Sequence, residues 1–180
     1  MTDLADRPHQ NELLHRMFTA VPPRYDLINH IITWGLDKRW RRRTAEECLA
    51  SRPERMLDLC CGTGDLAIDV ARLAGDNLAV IGVDYSQPML EIAARKAKYR
   101  DTMRISFVNG NAAHLSFPDG YFDCIGISFA FRNLTYNNPL TGKCLDEALR
   151  VLKTGGRFVI VETSQPESKL ISKFYHLYLR

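Results

Sequence analysis

The stretch LDLCCGTGDLA, Leu57 to Ala67, sets two glycines between Asp58 and Asp65 and beside a pair of adjacent cysteines. It reads three ways. It is at least a sharp connection from a strand into a helix. Its residues Gly62-Thr63-Gly64-Asp65-Leu66-Ala67 also satisfy G-x-G-x-x-G/A, the turn that cradles a dinucleotide pyrophosphate on a helix N-terminus. A third reading gives weight to Asp58, and the rest of the chain decides between them.

The chain has 180 residues, which suits one domain with a helical appendage and a substantial core. Its 24 basic and 21 acidic residues leave a net charge of +3, too mild to imply a nucleic-acid partner. The start, MTDLADRPHQ, is polar and partly acidic, so no secretory signal is expected there. No apolar stretch approaches the roughly 18 residues of a membrane span. The five cysteines (48, 60, 61, 124 and 144) are odd in number and sit mostly in apolar runs. That pattern predicts reduced thiols in a cytoplasmic protein rather than a disulfide framework, and their spacing offers no metal site.

Residues 10–20 have the pattern of an amphipathic helix ended by Pro22-Pro23, and residues 36–50 that of a second helix. From Arg55 onward short apolar runs alternate with helical patterns. MLDLC, LAVIGVD, RISFVNG, FDCIGISF and RFVIVE read as five strands, each nearly continuous in apolar residues, as parallel strands covered on both faces are. DLAIDVARLAG, SQPMLEIAARKAKYR and LTGKCLDEALRVLK read as the intervening helices, the second with Ser86 as N-cap and the third followed by Gly155-Gly156. The alternation predicts a doubly wound, mainly parallel Rossmann-like α/β sheet, with ligands bound beyond the carboxyl ends of its strands.

Asp84 closes the second strand, placed to bond both ribose hydroxyls of an adenosine. Every nucleotide reading uses such an acid. Asp58 separates them. A buried carboxylate repels a pyrophosphate, whereas a ligand with adenosine at one end and a cationic ammonium and sulfonium at the other is favoured by acids. The residues therefore favour S-adenosylmethionine (SAM) over NAD.

The glycine turn, the acid of VDYS with Tyr85 beside it, Asn111-Ala112 after the third strand and EALRVLKTGGRFVIVE at the fifth resemble a class I SAM-dependent methyltransferase. More narrowly, FTAVPPRYDLINHIITWGLDKRWRR together with SFAFRNLT resembles the UbiE/COQ5/MenG family of quinone-ring C-methyltransferases, from about Met17 to about Pro166. The resemblance implies a cofactor site of Asp58, Gly62, Thr63, Gly64, Asp84, Tyr85, Asn111, Ala112 and Ser128. Thr63 would sit in the turn, Asp84 on the ribose, Asn111-Ala112 beside the adenine and Ser128 on the cofactor side of the fourth strand. Cys60 departs from the class pattern, which usually has glycine there. The resemblance also implies a longer chain, with a helical lid and a final antiparallel strand pair. SKLISKFYHLYLR stops inside the expected helix after the fifth strand, leaving that strand as an edge to be covered, for instance by a second copy in a homodimer. The expected division is an N-terminal helical lid or substrate segment over residues 1–53 and a SAM-binding α/β domain over residues 54–180.

Methylation of a hydroquinone carbon requires positioning, desolvation and a base or cation for the developing phenolate, but no metal. Arg132, just after the fourth strand, is the expected cation, and Tyr25 the other expected catalytic residue. Tyr25, Asn29, Arg132 and Asn133 form the expected substrate site, with Asp26 and His30 nearby. Lys38, Arg39, Arg41, Arg42 and Arg43, flanked by Trp34 and Trp40, suit RNA phosphates, a solvated helix face, or peripheral contact at the inner face of a membrane holding a polyprenyl quinol. SFAFRN replaces the NPPY-like loop of amino methylation, and no loop cysteine is placed for cytosine C5 chemistry. The competing functions are methylation of another small molecule or RNA, and a shortened SAM-binding domain without turnover.

Overall fold

Strands that are apolar on both sides must be covered on both sides, and the computed structural model, which describes residues 36–102 and 104–162, has that architecture. In chain order the elements are helix α1 (Leu36–Leu49), β1 (Arg55–Leu59), α2 (Asp65–Ala74), a 3-10 turn (Gly75–Asn77), β2 (Ala79–Asp84) and α3 (Gln87–Tyr99). They continue with β3 (Ile105–Asn109), β4 (Phe122–Ser128), the short α4 (Phe131–Thr135), α5 (Thr141–Val151) and β5 (Leu152–Val161). The sheet order is β3-β2-β1-β4-β5, with every neighbouring pair parallel. The expected helix over residues 10–20, residues Tyr25, Asp26, Asn29, His30 and Trp34, and the segment SKLISKFYHLYLR lie outside the described residues. No helix among the described residues is long and apolar enough to cross a membrane.

Side chains alternate across each strand, and the two core clusters record that alternation. Met56 and Cys124 pack with Ala45 and Cys48 of α1 and with Leu66, Ala67 and Val70 of α2. Leu57, Leu59, Ile125 and Ile127 face the other way, against Cys144, Ala148 and Val151 of α5. The three α5 residues lie one turn apart, the stripe by which an amphipathic helix covers a sheet. Asp58 falls in the α2 phase of β1. Its register partners on both sides are glycines: Gly82 leaves room for the Phe107 ring and the Cys61 thiol, and Gly126 lets α2 approach the sheet. A Cβ on Gly126 would stand 2.7 Å from Met56 Cε and 3.0 Å from Leu66 Cδ2.

Two local expectations are corrected. The last helix ends at Val151 and passes straight into β5, which therefore starts well before Arg157. Phe122 pairs with Leu152 and Cys124 with Arg157, so residues 153–156 bulge opposite Asp123, with Gly155 at φ 77°. Lys153 meets the Asp123 carboxylate, which also accepts the N–H groups of Glu54 and Arg55. Ser86 occupies the N-cap position of α3 but makes no side-chain capping bond. The neighbouring carboxylate of Asp84 takes the Ser86 N–H instead.

From β1 the chain moves outward through β2 to β3, and later returns to place β4 on the other side of β1. The connections diverge between β1 and β4. That switch point opens a crevice at the carboxyl ends of these two strands.

Candidate functional site

The turn after β1 is compressed into residues 60–64, and Cys60 (φ 55°), Gly62 (φ 54°) and Gly64 (φ 76°) all take left-handed backbone. Such a path suits glycine, which explains why Cys60 stands out: a side chain occupies a conformation that disfavours one. Cys61 N–H donates to Val83 O at 3.0 Å and Gly64 N–H to Cys61 O at 2.8 Å, fastening the turn to β2. The two glycines do different work. A Cβ on Gly64 would lie 2.8 Å from both Ala93 Cβ and the Phe107 ring, whereas one on Gly62 would meet nothing within 4 Å.

Asp84 joins this turn to the one after β2. Gly62 N–H donates to Asp84 Oδ2 and Ser86 N–H to Oδ1, each at 2.8 Å. A carboxylate offers about four lone-pair sites, which backbone donors from Gly62, Tyr85 and Ser86 do not exhaust, so it can still accept from a ligand hydroxyl. Burial raises the Asp84 pKa against the lowering effect of the backbone N–H groups around it. Tyr85, next in the chain, is exposed, and its carbonyl accepts Asn109 Nδ2 at 2.9 Å.

Asp58, another expected cofactor residue, lies in the core. It is 1% exposed, and its Oδ2 accepts the Ala67 N–H at 2.9 Å, satisfying a donor in the first turn of α2. Burial first, and then the Asp84 and Asp65 carboxylates, push its pKa up to about 8, against the Ala67 bond and Arg41. The repulsion expected between Asp58 and a pyrophosphate is therefore full only above that pH. Burial also drives the Cys60 and Cys61 thiols upward, so neither is a ready nucleophile.

Asp65 opens α2, where a carboxylate complements the helix dipole. Arg41 of α1 and Lys96 of α3 both ion-pair with it, Arg41 reaches Asp37 as well, and Lys96 donates to Thr63 Oγ1 at 3.1 Å. Arg41 is thus a structural tie between α1 and the turn. Arg42 and Arg43 pair along the helix with Glu46 and Glu47, while Lys38 and Arg39 stand exposed. The chain spacing could not reveal this network, because its members come from three helices.

Among the remaining expected cofactor residues, Ser128 ends β4 with a buried hydroxyl that has no hydrogen-bond partner. Asn111 Oδ1 accepts Ala113 N–H at 2.9 Å, a local turn bond, and Ala112 is half-buried beside it. On the other side of the crevice Arg132 and Asn133 are exposed on α4. The Arg132 guanidinium lies over the Tyr136 ring, 4.9 Å from its centre, and the Arg132 N–H donates to Glu162 Oε2 at 3.0 Å. Sequence reasoning missed Tyr136 and Glu162. The i,i+4 spacing of Arg132 and Tyr136 was the available signal, legible only once a helix is assigned there. The described residues hold no His/Cys/Asp/Glu cluster able to bind a metal.

The sequence profile of the ubiE/COQ5 methyltransferase family matches residues 6–180. The chain belongs to this family. A demethylmenaquinone methyltransferase of Thermus thermophilus is 42% identical over 164 residues, covering 91% of this chain and 72% of that protein. The ubiquinone/menaquinone biosynthesis C-methyltransferase UbiE of Proteus mirabilis is 38% identical over 174 residues, covering 96% of this chain and 68% of its own length. Among solved structures, the [4+2]-cyclase SpnF is 30% identical with a TM-score of 0.63, covering 73% of this chain and 46% of SpnF. The Bacillus subtilis YcgJ protein is 28% identical with a TM-score of 0.61, covering 78% of this chain and 57% of YcgJ. As a ubiE/COQ5 methyltransferase the chain takes SAM as cofactor. The cradle fits that ligand: a glycine turn open at Gly62, a carboxylate fixed by backbone donors at the strand end, and an unpartnered hydroxyl one strand away.

Two sets of measurements test this site. Gly64→Ala should lose about 3 kcal/mol or more of stability through overpacking and left-handed strain together, whereas Gly62→Ala should lose about 1 kcal/mol and remain folded but bind SAM poorly. Thermal melts and calorimetric SAM titrations of both variants check the contrast. For Asp58, the folded protein holds a proton that the unfolded chain releases near pH 4, so stability should decline as pH rises from about 4 to about 8 and level off above. Asp58→Asn should remove about 3.5 kcal/mol of that decline between pH 5 and pH 8. An equally steep slope in the variant would show that Asp58 is not the group responsible.

Proposed function

We propose that this chain methylates a ring carbon of a demethylated menaquinol- or ubiquinol-type acceptor, with the cofactor on the β1–β2 side of the crevice and the acceptor on the β4 side. The supporting observation is the Asp84 clamp, which puts two oriented carboxylate oxygens at a glycine turn in a chain of this family. Two relatives named for demethylmenaquinone or ubiquinone/menaquinone chemistry support the acceptor class.

When bound, SAM would supply an electrophilic methyl group, its sulfur keeping the electron pair of the broken bond, while the acceptor carbon would give up its ring proton to water. The chain's own work is to align and desolvate the acceptor and to stabilise its negative charge. Arg132 is the residue assigned to that charge. Its guanidinium is held by Tyr136, and its backbone by Glu162, so it enters the reaction already oriented. Asn133 is the neighbouring candidate for a hydrogen bond to an acceptor oxygen, and Tyr25 and Asn29 are the further residues assigned to the acceptor. Asp84 holds the ribose, and a cationic ligand would draw Asp58 toward its ionised form.

One observation favours a second reading, a cofactor-binding domain without methyl turnover. SpnF shares this fold and is a cyclase, so the fold alone does not specify methyl transfer. Arg132→Ala separates the two. In a protein with turnover it should keep SAM affinity and melting temperature while transfer to a demethylated quinol falls by about 100-fold, the loss expected of one transition-state electrostatic contact. Arg132→Lys should rescue poorly, since it lacks the planar fork of donors. Parallel losses of stability, SAM affinity and transfer would make Arg132 structural. Tight NADH binding with no response to SAM would overturn the cofactor.

A polyprenyl tail partitions into lipid, so the acceptor is best met at a membrane surface. We assign that contact to the exposed Lys38 and Arg39 at the start of α1, whose charges suit anionic headgroups. Cosedimentation with anionic vesicles should fall severalfold in Lys38→Glu/Arg39→Glu and in high salt. Binding unchanged by both would remove the surface contact.

A further inference from the structure

Phe129, the first residue past β4, is a bulky aromatic at φ 57°. Left-handed backbone disfavours such a residue, and it persists where the surroundings enforce it. Here Phe129 N–H donates to Val161 O at 2.9 Å, extending the contact between β4 and β5 one step beyond the strands. The strain has a geometric consequence. Along β4, Cys124 faces α1 and α2 while Ile125 and Ile127 face α5. Continued alternation would direct residue 129 to the α5 side. Instead its ring meets Trp40 of α1, with ring centres 6.3 Å apart and planes inclined at 53°. The left-handed step has carried an aromatic ring from one face of the sheet to the other.

Trp40 does not sink into the core; it is 39% exposed. Its neighbour Arg41 fastens this turn of α1 to Asp37 and to Asp65 beside the cofactor turn. The indole is thereby held at the carboxyl end of the sheet, where the crevice between β1 and β4 lies. Three residues beyond Phe129 in the chain stands Arg132.

We infer that Trp40 and Phe129 form an aromatic wall for the methyl acceptor, against which its planar quinol ring packs while Arg132 faces a ring oxygen. This deepens the quinol-methyltransferase reading and rests on it. Aromatic pairs prefer offset or edge-on packing at ring separations of a few ångströms, which selects a flat ring over an aliphatic acceptor. An RNA base is the competing occupant. It is less favoured because the chain belongs to the ubiE/COQ5 methyltransferase family.

The chain has two tryptophans, so a Trp34→Phe background leaves Trp40 as the only indole and every comparison is made within it. Demethylmenaquinone with a short prenyl tail is titrated in the presence of S-adenosylhomocysteine while indole fluorescence is followed. Transfer is assayed with the corresponding quinol. Saturable quenching is expected, and Phe129→Leu should raise both its midpoint and the acceptor KM by about tenfold with SAM affinity unchanged. Phe129→Gly should lose acceptor affinity equally while melting no lower than Phe129→Leu, because glycine relieves the left-handed strain. Transfer without saturable quenching, or with the acceptor KM unchanged in Phe129→Leu, overturns the wall and leaves the methyltransferase reading standing. Saturable quenching by an oligoribonucleotide that competes with the quinone also overturns it. SAM binding without transfer to any demethylated quinol overturns the methyltransferase reading, and the wall with it.

Discussion

A helix that begins against a sheet leaves backbone N–H groups without partners, as does the turn leading into it, and here two carboxylates take one from each. Asp58 receives Ala67 N–H from beneath the turn, and Asp84 receives Gly62 N–H from beside it. Because Asp84 also holds Ser86 N–H, the turn after β1 and the turn after β2 become one unit. The cradle is therefore preorganised from strand ends, and the close approach it needs is permitted by glycines at 82 and 126, in register with Asp58. Displacing either carboxylate would leave backbone donors without their present partner, at the cost of unsatisfied polar groups.

The same arrangement concentrates acids. Asp58, Asp65 and Asp84 lie close enough that the charges of Asp65 and Asp84 raise the Asp58 pKa. Arg41 and Lys96 neutralise Asp65, but burial dominates at Asp58, which carries its proton more readily than a free carboxylate. The electrostatic argument against a pyrophosphate is thus weaker near neutral pH than the sequence suggests, and Asp84 carries more of it. A cationic cofactor gains from such a site by helping the acids ionise.

Opposite the cradle, the β4 side is built from less regular parts: a left-handed Phe129, the short helix α4 and an arginine resting on Tyr136. In the proposed arrangement the cofactor would be held by strand ends and backbone donors, which many proteins of this fold can share. The acceptor would be met by side chains on irregular backbone, where change is least constrained by the core. That division fits the occurrence of a cyclase and methyltransferases on related frames.

By itself the sequence determined the alternation of strands and helices, because near-continuous apolar runs such as AVIGVD and FDCIGIS have few other ways to be buried. It also placed Asp84 at the end of β2, since a glycine turn and a strand-end acid are local signals. Its boundaries failed where local signals were misleading: Gly155-Gly156 marks a bulge within β5 rather than the gap before it, and Ser86 caps nothing. Tertiary structure decided the burial of Asp58, the tie from Arg41 and Lys96 to Asp65, and the meeting of Trp40 with Phe129. Each of these depends on residues far apart in the chain whose distance is set by packing. A carboxylate's charge state follows from the water it has lost and the charges it has met, and neither quantity is written in the order of the residues.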